Sequence, residues 1–258
     1  MIEISSKDNA LLKAIRKLSQ DPSGYRKQGR IWCEGDHLCR AALERGVKPI
    51  QVLMTPDLWH SAPLAWRDVC DQVFVLPQAL FASLSGLESP AQMGFVLACA
   101  SEQAIQPAQP TVVLDRVQDA GNVGAILRSA SAFGFKQVIA LRGTAALWSP
   151  KVLRAGMGAH FGMHLVESAQ AQSLAQLQIP LLTTSSHQGP FLHELLNAKR
   201  LPALCAWVMG HEGQGVSEEI MALSQMQVRI AQPGGEESLN VASAAAICLH
   251  ATASVAMS

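Results

Sequence analysis

The 258-residue chain has no run of about 18 consecutive apolar residues, so a membrane-spanning helix is excluded. Its opening residues, Met1-Ile2-Glu3-Ile4-Ser5-Ser6-Lys7, lack the charged-then-apolar order of a secretory leader. A cytoplasmic protein with no membrane partner is the expectation. No CxxC pair occurs among the six cysteines, at 33, 39, 70, 99, 205 and 248. They sit mostly in apolar surroundings, which predicts reduced core thiols and no metal site. A net charge is missing too, with 20 basic against 20 acidic residues. A zero sum argues against a polyanion partner only if the charge is evenly spread.

The charge is not evenly spread. Residues 1–50 hold ten Lys or Arg against six Asp or Glu, and the remainder carries the opposite excess. Between Lys7 and Arg30 seven basic residues face only Asp8 and Asp21, a pattern suited to phosphate contact and also to an ordinary solvated helix face. Asn9 to Leu18 places Leu11, Leu12, Ile15 and Leu18 at helical spacing behind a capping Asn. Lys13, Arg16 and Lys17 fall off that stripe, towards solvent or RNA, and Arg26 follows in the same basic region. Strands are predicted at Ile31–Cys33, Ile50–Met54, Val73–Leu76 and Phe95–Cys99, with a helix over His37–Glu44. That alternation describes a small α/β domain over residues 1–100.

Residues 101–110 are polar, contain Pro107 and Pro110, and lack periodicity, so they read as a linker. Beyond them, strands are predicted at Thr111–Leu114, Gln137–Leu141, His164–Val166, Pro180–Thr184, Ala206–Met209 and Val228–Ile230. Helices fill most of the gaps, including one from about Asn122 to Phe133. Residues 111–258 therefore form an α/β domain with a largely parallel sheet.

Three stretches of this domain follow predicted strands at their carboxyl ends, where open α/β sheets hold ligands. Gly121-Asn122-Val123-Gly124-Ala125-Ile126-Leu127-Arg128 combines a capping Asn, a glycine permitting close approach and an arginine under two turns further on. Gly210-His211-Glu212-Gly213-Gln214-Gly215 brings three glycines and one carboxylate to a strand end, either for a ligand or for a tight turn. Gly234-Gly235-Glu236-Glu237-Ser238-Leu239-Asn240-Val241 is a glycine-bent loop. Its Ser238 and Asn240 can cap a helix starting near Val241.

In this order these stretches resemble the signature motifs of the SpoU/TrmH-type RNA ribose 2'-O-methyltransferases, members of the SPOUT superfamily. Asn9-Ala10-Leu11-Leu12-Lys13, Tyr25-Arg26 and Cys33-Glu34-Gly35 look like the ribosomal-protein-like RNA-binding module that many members carry in front. The resemblance implies S-adenosylmethionine as methyl donor, a deep trefoil knot near the C-terminus, and a homodimer whose active site uses both chains. It implies an RNA substrate, with the two-domain layout leaning towards ribosomal RNA over tRNA. By position, Asn122, Arg128, Glu212, Ser238 and Asn240 fall on catalytic residues. Gly210, Gly215, Ile230 and Leu239 fall on the donor-binding backbone, and Thr183, at a strand end, joins them. Arg116 and Arg154 are further candidates for RNA contact, each weighed against a surface salt bridge. Two departures stand out: Ile230-Ala231-Gln232 replaces the usual Ile-Pro-Met, which bears on the grip on adenine, and His250 stands where an acid is frequent.

A guanidinium stays protonated and is a poor general base. Arg128 is better suited to fixing a phosphate bidentately and stabilising the developing alkoxide, with the proton passing to phosphate or water. Ser238 and Asn240 are expected to position nucleotide and loop, and Glu212 to orient polar groups around the donor or Arg128. Gly156-Met157-Gly158 suggests a nucleotide-dependent oxidoreductase instead, but the ribose-binding acid after an early second strand is missing. An RNA-binding protein of the same fold without catalysis is the other alternative, and the intact Arg128, Glu212, Ser238 and Asn240 count against it.

Overall fold

The computed structural model describes residues 1–99, 103–234 and 238–257. It divides into two compact units, Met1–Ser101 with Trp148–Phe161, and Glu102–Leu147 with Gly162–Ser258. Of the predicted linker, Ser101 and Glu102 lie outside the described residues. Its remainder is tied to the second unit: Leu165 N donates to Gln103 Oε1 at 3.2 Å, Gln106 N to Gln137 Oε1 at 2.8 Å and Ala108 N to Leu177 O at 2.8 Å.

In the first unit, strands β1 (Ile2–Glu3), β2 (Arg30–Glu34), β3 (Gln51–Met54), β4 (Val73–Val75) and β5 (Met93–Ala98) form a sheet in the order β1-β4-β3-β5-β2. β5 runs antiparallel to both neighbours, and the other pairs are parallel. The helix Ala10–Gln20 begins where Asn9 Oδ1 accepts from Leu11 N at 2.9 Å. It buries Leu12, Ile15 and Leu18, each contributing roughly 1.5–3 kcal/mol of apolar burial. Lys13 and Lys17 stay exposed on the same helix, as the stripe predicts. Gly94 has no room for a side chain, because the Trp32 ring fills the place a Cβ would take. The helix Pro150–Gly156, capped by Ser149 Oγ accepting from Val152 N at 3.4 Å, belongs to this unit and buries Val152 and Leu153.

The second unit is an all-parallel sheet of β6 (Thr111–Leu114), β7 (Gln137–Leu141), β8 (His164–Ala169), β9 (Leu181–Thr184), β10 (Ala206–Met209) and β11 (Met226–Val228), in the order β11-β9-β10-β6-β7-β8. β6, β7, β10 and all but the last residue of β9 are buried throughout, the mark of a sheet covered on both faces. From β6 the order grows through β7 to β8 on one side, while β9, β10 and β11 lie on the other. The order therefore switches between β6 and β10, and the crevice beyond their carboxyl ends is where such sheets bind ligands. Helix Val241–Ala256 packs on helix Ala120–Ala132 and on β10, fastened by Trp207 Nε1 donating to buried Thr252 Oγ1 at 2.9 Å.

Among the predicted boundaries that move, two lie next to the loops described below. The first helix of this unit starts at Ala120 because Asp119 is its cap: Asp119 Oδ1 accepts from Asn122 N at 2.7 Å, which places Asn122 inside the first turn. β11 spans Met226–Val228 and not Val228–Ile230, because its partner β9 ends at Thr184, opposite Val228. Arg229 turns to the neighbouring loop, donating from N to Pro190 O at 2.9 Å and from Nε to Gly189 O at 2.7 Å. The cysteines are free, and Cys33, Cys39, Cys205 and Cys248 are buried. Burial pushes Cys33, Cys205 and Cys248 up to about 12, which keeps them as inert thiols. No helix among the described residues is long and apolar enough to cross a membrane.

Candidate active site

The site is built where β6 and β10 deliver their following loops side by side. After β10, the loop from Gly210 closes on itself: His211 N donates to Gly215 O at 3.0 Å and Gly215 N returns to His211 O at 2.8 Å. A Cβ at Gly210 would collide with the backbone of Gly215 and Val216, and Gly215 adopts φ +68°. Both glycines are thus required by the turn itself. His211 Nδ1 accepts from Gly213 N at 3.0 Å and Gln214 N at 3.2 Å.

This closed loop holds Glu212 out towards the loop after β6. Glu212 Oε2 accepts from Gln118 N at 3.2 Å, and Oε1 accepts from Asp119 N at 3.1 Å and from Asn122 Nδ2 at 3.1 Å. Partial burial works against the charge, but hydrogen bonds to its own backbone, to Asn122 and to the Asp119 and Gln118 amides outweigh it. The carboxyl is held below its ordinary value. An ionised carboxylate with three donors already on it orients its neighbours and is a weak proton acceptor.

The third stretch joins from the far end of the chain. Asn240 caps helix Val241–Ala256, its Oδ1 accepting from Ala242 N at 2.9 Å and Ser243 N at 3.2 Å. Its Nδ2 donates to Asn122 Oδ1 at 2.9 Å. Asn122 therefore accepts from Asn240 and donates to Glu212, and this pattern fixes its amide orientation. Three residues singled out in three separate motifs form one hydrogen-bonded chain. Ser238 and Leu239 are exposed just before the cap. Glu236 and Glu237 lie outside the described residues.

The remaining expected residues are distributed as follows. Arg128 is exposed on helix Ala120–Ala132, six residues beyond Asn122, and among the described residues no ion pair engages it. Thr183 is fully buried in β9, its Oγ1 3.2 Å from Ser224 Oγ. Ile230 borders an apolar groove of about 600 Å³ with Leu192, Leu196, Ala246 and Ile247. Arg116 is drawn inward, and its contacts are taken up below. In the first unit, Lys13 and Lys17 line a groove of about 760 Å³ together with Lys27. Lys13 Nζ also lies 3.2 Å from Asp8. Arg16 is committed elsewhere, donating to Lys7 O and Ser83 Oγ, both at 3.1 Å. Arg26 Nε donates to Tyr25 Oη at 3.1 Å, and Arg154 lies near Gly86, where a Cβ would be 3.7 Å from its Nη1.

Sequence reasoning missed Asp115, Thr144 and Ser217, which brace these loops. Asp115 was legible as the first acid after the apolar run Thr111–Leu114. Thr144 and Ser217 carry no local signal, since their partners are 28 and 102 residues away.

Fold and loops together define an open, all-parallel α/β domain of the class that binds ligands beyond the carboxyl ends of its strands, with its switch point between β6 and β10. The profile of the SpoU rRNA Methylase family matches residues 109–250. The chain belongs to that family and is an S-adenosylmethionine-dependent RNA ribose 2'-O-methyltransferase. It is 27% identical over 253 residues to a 23S rRNA (guanosine(2553)-2'-O)-methyltransferase of Bacillus subtilis, covering 97% of this chain and 98% of the relative. It is 31% identical over 265 residues to an uncharacterized tRNA/rRNA methyltransferase of Synechocystis, covering 96% and 92%. A solved TrmH-family putative RNA methyltransferase from Porphyromonas gingivalis superposes with a TM-score of 0.82 at 29% identity, over 94% of this chain and 97% of the other.

Proposed function

We propose that this enzyme methylates a ribose 2'-hydroxyl of 23S ribosomal RNA at a site organised by Asn122, Glu212 and Asn240. The observation that carries the reading is the chain Asn240 Nδ2 to Asn122 Oδ1 and Asn122 Nδ2 to Glu212 Oε1, which knits the three loops into one rigid crevice. The ribosomal substrate is supported by the family description and by the full-length relative named for 23S rRNA.

The residues present suit the donor. S-adenosylmethionine, when bound, supplies an electrophilic methyl group on a sulfonium cation. The ionised Glu212 carboxylate puts a negative charge beside the crevice, which favours a cation. Gln232 Oε1 is a buried acceptor without a hydrogen-bond partner, suited to an adenine amino group where the usual motif has methionine. The backbones of Gly210, Gly215, Ile230 and Leu239, with Thr183 behind them, form the donor side in this reading. Arg128 holds the phosphate next to the target ribose through its two-pronged guanidinium and stabilises the developing alkoxide. Ser238 orients the nucleotide. The 2'-hydroxyl proton goes to phosphate or solvent, because a guanidinium is a poor general base and Glu212 already accepts three hydrogen bonds.

The finer parts of the reading follow from the same residues. A deep trefoil knot is supported by the strand order, in which β10 lies between β6 and β9, and by Asn240 returning to Asn122 from 118 residues away. A homodimer completing the site is supported by the apolar groove along helix Val241–Ala256 and by Ile247, 41% exposed beside it. The first unit is read as the RNA-binding domain, with the Lys13, Lys17 and Lys27 groove as its phosphate-facing surface. A ribosomal RNA substrate supports a cytoplasmic location.

Asn122→Ala and Glu212→Gln test the central assignment through calorimetric donor titration and tritium transfer to deproteinised 23S rRNA. Transfer is expected to fall about a hundredfold in each, the loss typical of a displaced catalytic loop. Undiminished transfer in both would remove these residues from the site.

A further inference from the structure

We infer that Asp115 and Arg116 are a pair of positioning residues that set the Gly210–Val216 loop and thereby place Glu212 against Asn122. This rests on the active-site reading given above. Asp115 follows β6 directly and is 2% exposed. Its N continues the ladder to Met209 O at 2.8 Å. Both carboxylate oxygens are committed: Oδ1 accepts from Arg116 Nε at 3.0 Å, and Oδ2 accepts from Ser217 N at 2.6 Å, at the end of the facing loop.

Arg116 has φ +59°, a left-handed backbone that an arginine adopts only when its surroundings hold it. Arg116 N donates to Thr144 Oγ1 at 3.1 Å, and that hydroxyl donates to Leu114 O at 2.9 Å, so the conformation is braced from both sides. The resulting turn aims the guanidinium across the crevice. Nη1 donates to Gln214 Oε1 at 2.8 Å and Nη2 to Gly215 O at 3.4 Å.

The two loops are thus clasped in opposite directions. Arg116 reaches from the β6 loop to residues 214 and 215, while Glu212 reaches back to Gln118, Asp119 and Asn122. One side chain alone would leave the Gly210–Val216 turn free to pivot about Gly210. Two, attached on either side of Gly213, fix its height and its tilt. A guanidinium aimed at Asp115, Gln214 and Gly215 is a strut within the protein, which replaces the expectation of RNA contact for Arg116.

The test uses the full chain. Arg116→Gly removes the strut while easing the left-handed backbone, so folding is retained. Arg116→Lys keeps the charge but cannot hold Asp115, Gln214 and Gly215 at once. Donor affinity, kcat, and the salt dependence of binding to deproteinised 23S rRNA are measured for both, with Glu212→Gln as reference. Both Arg116 variants are expected to lose about a hundredfold in kcat. RNA affinity and its salt slope are expected to stay at the wild-type value. A shallower slope by about 0.7–0.9 with normal kcat would show a phosphate contact and overturn the proposal. Wild-type behaviour in every measurement would overturn it too. If Glu212→Gln is impaired while the Arg116 variants are normal, only this inference fails; if Glu212→Gln is also normal, the site assignment fails with it.

Discussion

The two units handle polar side chains in different ways. In the N-terminal unit the basic residues stay where their helices put them: Lys13 and Lys17 on one helix and Lys27 on the next face a common groove. In the C-terminal unit polar side chains meet from distant parts of the sequence, as Glu212 meets Asn122 ninety residues away and Asn240 meets Asn122 across 118. Exposed point charges attract a polyanion without demanding fixed geometry and weaken as salt rises. Interlocked hydrogen bonds cost freedom in advance and hold a few atoms at defined distances, which methyl transfer needs. In the function proposed above, the first arrangement serves capture and the second serves chemistry.

The sharpest way to break this contrast is Arg128→Ala. It is expected to lower methyl transfer by about 10²–10³-fold while donor binding survives, seen by tritium transfer beside calorimetry. Near-normal transfer would mean that the exposed arginine is not at the reacting centre. On the other side of the contrast, combined Lys13→Glu, Lys17→Glu and Lys27→Glu should weaken RNA binding, flattening its salt slope by about two to three units. Donor affinity should not change, and a change there would blur the division between capture and chemistry.

Smaller effects sharpen the architecture of the catalytic unit. Trp207→Phe removes the bond to Thr252 and empties part of the space of a fully buried indole, and should cost roughly 2–3 kcal/mol, with activity kept. Asn240→Ala removes the cap of helix Val241–Ala256 and the donor to Asn122, and should cost about 1 kcal/mol, read as a fall in Tm of about 2–4 °C. The pH dependence of Glu212 is the subtlest. Because folding lowers its pKa, its contribution is complete above the ordinary value of 4.5 and is lost as pH falls through the lower folded value. Denaturation curves of the wild type and Glu212→Gln should therefore differ at neutral pH and converge only on the acid side of 4.5. Convergence at neutral pH would show that the carboxylate does not brace the loops.

How far the sequence was legible follows the same division. Period and caps revealed helix Ala10–Gln20 and the strands Thr111–Leu114 and Gln137–Leu141, because these depend on residues close in sequence. The end of β11 was misplaced because its length is set by β9, a partner about forty residues away. Residue type alone points to Asn122 as the helix cap, and only the fold shows that Asp119 is the side chain meeting the free N–H. The three loops stood out through their glycines and amides. Their union did not, because the chain from Asn240 through Asn122 to Glu212 needs a parallel order that periodicity cannot supply. For Arg116 the sequence leaves RNA contact and a salt bridge open, and only the fold shows the pair with Asp115 and the reach to Gln214.

The most direct test of the central claim is to label deproteinised 23S rRNA with tritiated S-adenosylmethionine and hydrolyse the product in alkali. A methyl on the ribose 2'-oxygen blocks cleavage at the adjoining phosphodiester, so the account expects the label in an alkali-resistant dinucleotide, absent with Arg128→Ala. Label released in a mononucleotide, as base methylation would give, or no label with the wild-type chain, would contradict it.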